Sequence, residues 1–226
     1  MIVKQLLAID CIDKHTSFAH AINGEVINYS NFNHDSLSAE LLNNLNKFLL
    51  ENKMIVNDFD AFAVCNGPGG YTSLRVAIAT IKGMASALNK QVQSVSKLAA
   101  NAYAAMQIQE EFQDIISFHK IRDSHYIFAN YNEKNIVDAN KKEKFIEFDR
   151  HVTKHFPKNG FICGDVPAEL ASMINVQLKN GQYKILEGIT KDARTIATLA
   201  YKRNAFYESD NLDVLYPLPP KIHKKK

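Results

Sequence analysis

Residues 65–88 constrain the fold more than any other stretch of the chain. Cys65-Asn66-Gly67-Pro68-Gly69-Gly70-Tyr71-Thr72-Ser73-Leu74-Arg75 sets three glycines and a proline between an apolar run at 59–65 and a helical pattern over 72–88. Leu74, Ile78, Ile81, Ala85 and Leu88 form one apolar stripe of that helix. Val76, Thr80, Gly83 and Ala87 form a second stripe of smaller residues, and only Arg75, Lys82 and Ser86 read as a polar edge. A helix apolar around most of its girth must be covered on more than one side. One side can lie on a sheet, and the other needs a second helix at short range, which glycine and alanine permit. That second helix is either the chain's own pattern at 35–52 or part of another protein. The loop itself suits two roles. Its glycines allow positive φ and close backbone approach, as a tight strand-to-helix turn requires. It could also cradle an anion on the helix N-terminus, although no Gly-Lys-Ser/Thr ends it and it is not a dinucleotide fingerprint. Thr72 or Ser73 is the expected cap.

The flanking sequence predicts strands before and after this unit. Residues 2–10, 16–22 and 25–29 read as three consecutive antiparallel strands, with Asn23-Gly24 as a hairpin turn. In the helix at 35–52, Leu37, Leu41, Leu45 and Phe48 share one face, and Asp35 or Ser36 can cap it. Residues 91–95 predict a strand and 96–106 a helix capped by Ser96. The second half partly repeats this order. It has strands at 115–118, 126–131, 135–138, 161–163 and 183–186, helices at 167–174 and 193–206, and an ambiguous stretch at 144–155. Two strand-first α/β lobes, 1–107 and 108–226, are the economical arrangement for 226 residues of which 46% are apolar.

Composition narrows the function classes. A net charge of +3 neither demands nor excludes nucleic acid, and part of the excess sits in the run Lys221-Ile222-His223-Lys224-Lys225-Lys226, which reads as solvated. The three cysteines, Cys11, Cys65 and Cys163, are far apart and lie in or beside apolar runs. They predict buried, reduced thiols rather than disulfides or a metal site, and hence a cytoplasmic protein. No signal peptide or membrane span is expected.

The central motif resembles that of a known family. Gly67-Pro68-Gly69-Gly70-Tyr71-Thr72-Ser73-Leu74-Arg75 followed by Lys82-Gly83-Met84-Ala85 is similar to the Gly-Pro-Gly-Ser-Phe-Thr-Gly-Leu-Arg and Lys-Gly-Leu-Ala signature of the TsaB (YeaZ) family. Leu7-Ala8-Ile9-Asp10 and Val95-Ser96-Lys97-Leu98 resemble two further segments of that family. The resemblance covers residues 1 to about 107, with Gly164-Asp165 and Tyr126 as looser points in the second half. It implies a two-lobed actin-like ATPase fold (ASKHA, RNase H-like), each lobe a mixed sheet with helices. It implies a non-catalytic scaffold that pairs with a larger catalytic subunit, TsaD, alongside an ATPase, TsaE, and that also forms homodimers. The complex it implies makes N6-threonylcarbamoyladenosine at position 37 of tRNAs reading ANN codons, so tRNA is met only through the complex. No catalytic residue, metal or cofactor is expected on this chain, and ATP with magnesium and a metal are expected on the partner subunits. The expected partner surface comprises Leu37, Leu41, Leu45, Phe48, Thr72, Leu74, Arg75, Ile78, Lys82, Gly83 and Ala87, beside the glycine-rich loop Gly67, Pro68, Gly69 and Gly70.

The sequence departs from that family where chemistry would need it. Cys11 and Ile12 replace a Thr-Ser pair after Asp10, so the donors of a phosphate-binding hairpin are missing. Leu37-Ser38-Ala39-Glu40-Leu41-Leu42 lacks the family's His and Glu, His119-Lys120-Ile121-Arg122 keeps only an Arg of Asp-Ala-Arg-Arg, and Tyr216-Pro217-Leu218 has lost an Arg. The rival readings are a small ATP-dependent kinase of the same fold superfamily, with Asp10, Asp13 and Asp165 as its acidic set, and a protease, for which no nucleophile–base pair is present. His151 and His155, with Asp149 nearby, have the spacing of metal ligands on a helix but also that of two surface histidines.

Overall fold

The computed structural model describes residues 3–12, 15–109, 114–122, 125–138, 146–147, 152–177, 183–189 and 191–216. The opening strands β1 (Gln5–Asp10), β2 (His15–Ile22) and β3 (Glu25–Asn33) form an antiparallel meander. The turn between β2 and β3 uses positive φ at Asn23 and Gly24. Helix α1 (Leu37–Glu51) crosses to β4 (Ala61–Gly67), which pairs parallel to β1. Helix α2 (Tyr71–Leu88) crosses to β5 (Gln91–Ser96), parallel to β4, and α3 (Lys97–Met106) follows directly. The first sheet thus runs β3-β2-β1-β4-β5.

The second sheet repeats that plan. Its strands are β6 (Ile115–Arg122), β7 (His125–Tyr131), β8 (Ile146–Glu147), β9 (Gly160–Gly164) and β10 (Tyr183–Ile185). They run β10-β9-β6-β7-β8, antiparallel through β6, β7 and β8 and parallel through β6, β9 and β10. Read from its first strand outward, the order is the same in both sheets. Helix α5 (Ala168–Gln177) links β9 to β10, and α6 (Ala193–Arg203) follows β10 in sequence. Yet α6 packs on β1 and β2 of the first sheet, and the chain beyond it pairs Tyr207 with Val92 of β5.

The layers follow from period-two alternation. On β1, Leu7 and Ile9 point to the side covered by α1 and α2, whereas Leu6 and Ala8 point to the inner core. That inner core is shared by both sheets and by α3 and α6 between them. Every residue of α3 is buried, and its five alanines let it fit a narrow layer. Ser96 caps α3 as expected, its Oγ accepting from Ala99 N at 3.1 Å.

Several local expectations differ. Residues 135–138 are not a strand: α4 (Glu133–Ile136) is a single helical turn, fixed by reciprocal bonds in which the Asn132 and Asn135 amides each accept from the other's backbone N–H at 3.0 Å. Helix α6 stops at Arg203, where Asn204 turns left-handed at φ 44°. The start of α1 is tied by Glu40, which accepts from Asp35 N and Ser36 N, rather than by a side chain at 35 or 36. Neither Thr72 nor Ser73 caps α2, whose cap position is Gly70. Of residues 144–155, the described part comprises the short β8 and a 3-10 turn at Val152–His155.

Candidate functional site

The glycine-rich loop is shaped by its neighbours. β4 is buried almost throughout and delivers the chain to a cis Gly67–Pro68 bond. Gly67 has φ 119°, and a Cβ there would sit 2.8 Å from Leu215 O. A Cβ on Gly69 would strike the Ile12 side chain. Ile12 is itself 2% exposed. It fills the space under the loop with hydrocarbon where a hydroxyl would be needed to hold a phosphate. The segment at 213–216 runs beside the loop: Leu215 N donates to Asn66 O at 2.8 Å, and Asn66 Nδ2 donates to Asp213 O at 3.2 Å. Tyr216 stacks on Tyr71 with centroids 5.1 Å apart, and the Arg75 guanidinium lies 4.0 Å from the Tyr71 ring centre.

Helix α2 divides sharply. Ala77, Ile78, Ile81 and Ala85 are buried in the outer core against β4, β5 and α1, and Leu74 is buried in the inner core. Thr72, Arg75, Ala79, Gly83, Ser86 and Ala87 are exposed, with Val76 and Thr80 half-buried beside them. The spacing 72, 75, 79, 83, 86–87 is one continuous helical face. Nothing lies within 4 Å of a Cβ placed on Gly83. This face therefore carries a row of small residues, Ala79, Gly83 and Ala87, with Thr72, Arg75 and Ser86 beside them, and is uncovered by the described part of the chain. Lys82 leans away from it, its Nζ donating to Asp210 O at 3.3 Å.

The expected surface residues separate accordingly. Thr72, Arg75, Gly83 and Ala87 stand on the open face, and Lys82 stands at its edge. Leu37, Leu41, Leu45 and Phe48, together with Leu74 and Ile78, are core residues at 5% exposure or less, and their apolar surface is already covered by this chain. On α1 it is Leu42 and Leu50, at 61% and 67% exposure, that meet solvent. Ala79 was in neither expected stripe, although the i, i+4 spacing of Ala79, Gly83 and Ala87 is readable in the sequence.

A cleft of about 790 Å³ opens between the sheets, with Asp10, Lys97, Asn101, Asp165, Lys191 and Arg194 in its lining. Three of its carboxylates, Asp10, Asp165 and Asp192, have partners within the chain. Asp10 is paired with Lys191, both side chains being 4% exposed. Asp165 Oδ2 accepts from His119 Nδ1 at 2.9 Å and from Lys120 N at 3.0 Å. Burial pushes the Asp165 carboxyl upward, but the His119 and Lys120 hydrogen bonds and the nearby Lys97 charge outweigh it and hold the group at about 2. Asp192 caps α6 and is gripped by Arg194, whose guanidinium lies 4.2 Å from the Tyr29 ring centre. Burial also opposes ionisation of Asp192, and the Arg194 bonds reverse that, so its carboxyl lies below the ordinary carboxylate range. Glu187, on the rim, is exposed.

The thiols are inert in this arrangement. Cys11, Cys65 and Cys163 are free and buried. Burial pushes Cys65 and Cys163 up to about 12, and Cys11 higher still with Asp10 adding to the effect. No group of three or more His, Cys, Asp or Glu side chains among the described residues is placed to hold a metal ion. His155 is exposed, and its expected partners His151 and Asp149 lie outside the described residues, as do Asp13 and the basic run at 221–226. No helix among the described residues is long and apolar enough to cross a membrane.

Two sheets of identical strand order, stacked on a shared helical layer with a cleft between them, define a two-lobed actin-like α/β protein. YeaZ from Pseudomonas aeruginosa has this fold at a TM-score of 0.72 and 20% identity, over 94% of this chain and 99% of that one. The Lmo2764 protein from Listeria monocytogenes shares it at a TM-score of 0.54 and 11% identity, over 88% and 98%. The family model described as TsaD: tRNA N6-adenosine threonylcarbamoyltransferase matches residues 33–200, and the chain belongs to that family. A Haemophilus influenzae relative, tRNA threonylcarbamoyladenosine biosynthesis protein TsaB, is 28% identical over 105 residues. That match spans 46% of this chain and 44% of the relative.

Proposed function

We propose that this chain is a non-catalytic scaffold and activator in the cytoplasmic complex that forms N6-threonylcarbamoyladenosine at position 37 of tRNAs reading ANN codons. It pairs with a TsaD-type catalytic subunit through the lobe begun by residues 1–107; residues 108–226 supply the second lobe and, from α6 onward, return to pack on the first. A TsaE-type ATPase is the third member, the chain also self-associates as a homodimer, and tRNA is contacted through the assembled complex. ATP, magnesium and the metal reside on the partners.

The observation that carries this reading is the open face of α2, where Ala79, Gly83 and Ala87 are exposed in a row. Exposed Ala and Gly on a helix whose other side is firmly packed give a surface where another helix can approach closely. The buried thiols of raised pKa and the pairing of Asp10 with Lys191 and of Asp165 with His119 support a non-catalytic role, because these groups are engaged within the chain rather than activated as nucleophile or base. The test is reconstitution. The chain, a TsaD-type subunit, a TsaE-type ATPase and unmodified tRNA should yield threonylcarbamoyladenosine, and omission of this chain should abolish it. Product formed equally well without this chain would end the proposal.

A further inference from the structure

We infer that Lys191 is a tethered cation that fills the divalent-cation position at the floor of the interlobe cleft, so that this chain shuts magnesium-bound nucleotide out of its own cleft. The inference goes beyond the scaffold reading and does not depend on any partner.

Asp10 ends β1, the central strand of the first sheet, where the parallel strands β1, β4 and β5 present their carboxyl ends. Open α/β sheets receive ligands at that edge. A magnesium-dependent phosphoryl site of such a fold needs a carboxylate there to hold the metal, and hydroxyl or amide donors nearby to hold the phosphates. Here Asp10 Oδ1 accepts from Ile12 N at 3.3 Å, and Oδ2 accepts from Lys191 Nζ. The pair is almost wholly removed from water, at 4% exposure on each side chain. An ammonium in contact with a buried carboxylate neutralises it, and a second cation brought to the same carboxylate would meet an unscreened positive charge.

The position of Lys191 is built into the fold. It stands two residues before α6, and the first amide of that helix, Ala193 N, donates to Ser17 Oγ on β2 at 2.9 Å. The entry to α6 is therefore held on β1 through Lys191 and on β2 through Ala193. Among the described acids of the cleft, Asp165 is bonded to His119 and Lys120, Asp192 to Arg194, and Glu187 is exposed to solvent rather than buried beside Asp10. On the phosphate side, Cys11 and Ile12 are buried, with Ile12 lodged under Gly69. The donor set thus fits an internal ammonium and does not fit a metal–nucleotide complex.

The test uses the full chain with manganese as the probe, alone and with ATP, followed by electron paramagnetic resonance and by the shift in Tm. The native chain should show no manganese site that depends on Asp10. Lys191→Gln, which retains a donor for Asp10 but removes the charge, should gain manganese binding and a manganese-dependent rise in Tm. Adding Asp10→Asn to that variant should abolish both gains. Lys191→Met supplies a second version should the amide variant fold poorly. Manganese or Mg·ATP binding by the native chain that is lost in Asp10→Asn would overturn the inference. So would folded Lys191 variants that bind no more manganese than the native chain.

Discussion

Replacing Gly83 by arginine separates the stability of this chain from its association. Gly83 is exposed in the interior of α2, and its Cβ position is open to beyond 4 Å, so an added side chain meets nothing in the free protein. Arginine is a better helix former than glycine by about 0.8 kcal/mol. The variant should therefore fold normally and melt about 2 °C higher than the native chain. In an interface built on close helix approach the same side chain has no room. A guanidinium forced into that contact without a partner costs about 3 kcal/mol or more, which weakens pairing by more than a hundredfold. Titration calorimetry against the TsaD-type subunit reads the loss, and a thermal melt of the free chain reads the gain. Native affinity in a folded Gly83→Arg protein would refute the argument that α2 presents its small-residue face to the partner. A fall in Tm would refute the claim that this face is uncovered.

Other substitutions discriminate between core and surface. Ile78→Glu, five residues earlier on the buried face of α2 and 5% exposed, places a carboxylate in the core and should cost about 3–5 kcal/mol, visible as loss of the folded fraction in urea before any pairing is measured. Gly69→Ala drives a methyl into Ile12 Cγ2 and should destabilise the lobe by about 1–3 kcal/mol, and the double change with Ile12→Ala, which removes that carbon, should cost less than the two single changes summed. The three thiols should resist a thiol reagent in the native protein at pH 8 and react once it is denatured, since burial holds Cys65 and Cys163 near 12 and Cys11 above them. The depressed Asp165 carboxyl stabilises the fold above its ordinary pKa of 3.8, and that contribution disappears as the pH falls through about 2. Because its side chain is 47% exposed, solvent screening reduces the effect to about 1 kcal/mol, and Asp165→Asn should remove it from acid titrations of stability.

Local signals made most of the first lobe legible. Asn23-Gly24 fixed the opening hairpin, the glycine-rich segment marked the turn into α2, and the Ser96 cap placed α3. Each of these depends on residues within a few positions of one another. The failures have long-range or competing causes. Side chains at 132 and 135 bonding each other's amides overrode the β-prone look of 135–138. The return of α6 to the first sheet, and the Lys191–Asp10 pair across 181 positions, arise from tertiary packing that no local pattern encodes. The open face of α2 was legible only in part for a related reason. Helical spacing shows which residues share a face, but Leu37, Leu41, Leu45 and Phe48 are so strongly apolar that their own chain covers them. The less hydrophobic row of Ala79, Gly83 and Ala87 is what remains open.

Amide hydrogen exchange on the chain alone, and then on its mixture with the TsaD-type subunit, addresses the central claim at the helix itself. Slower exchange concentrated in residues 72–88 of the mixture, with the second sheet unchanged, is the expected result. A stable complex that protects other surfaces while leaving those residues exchanging as in the free chain would contradict it.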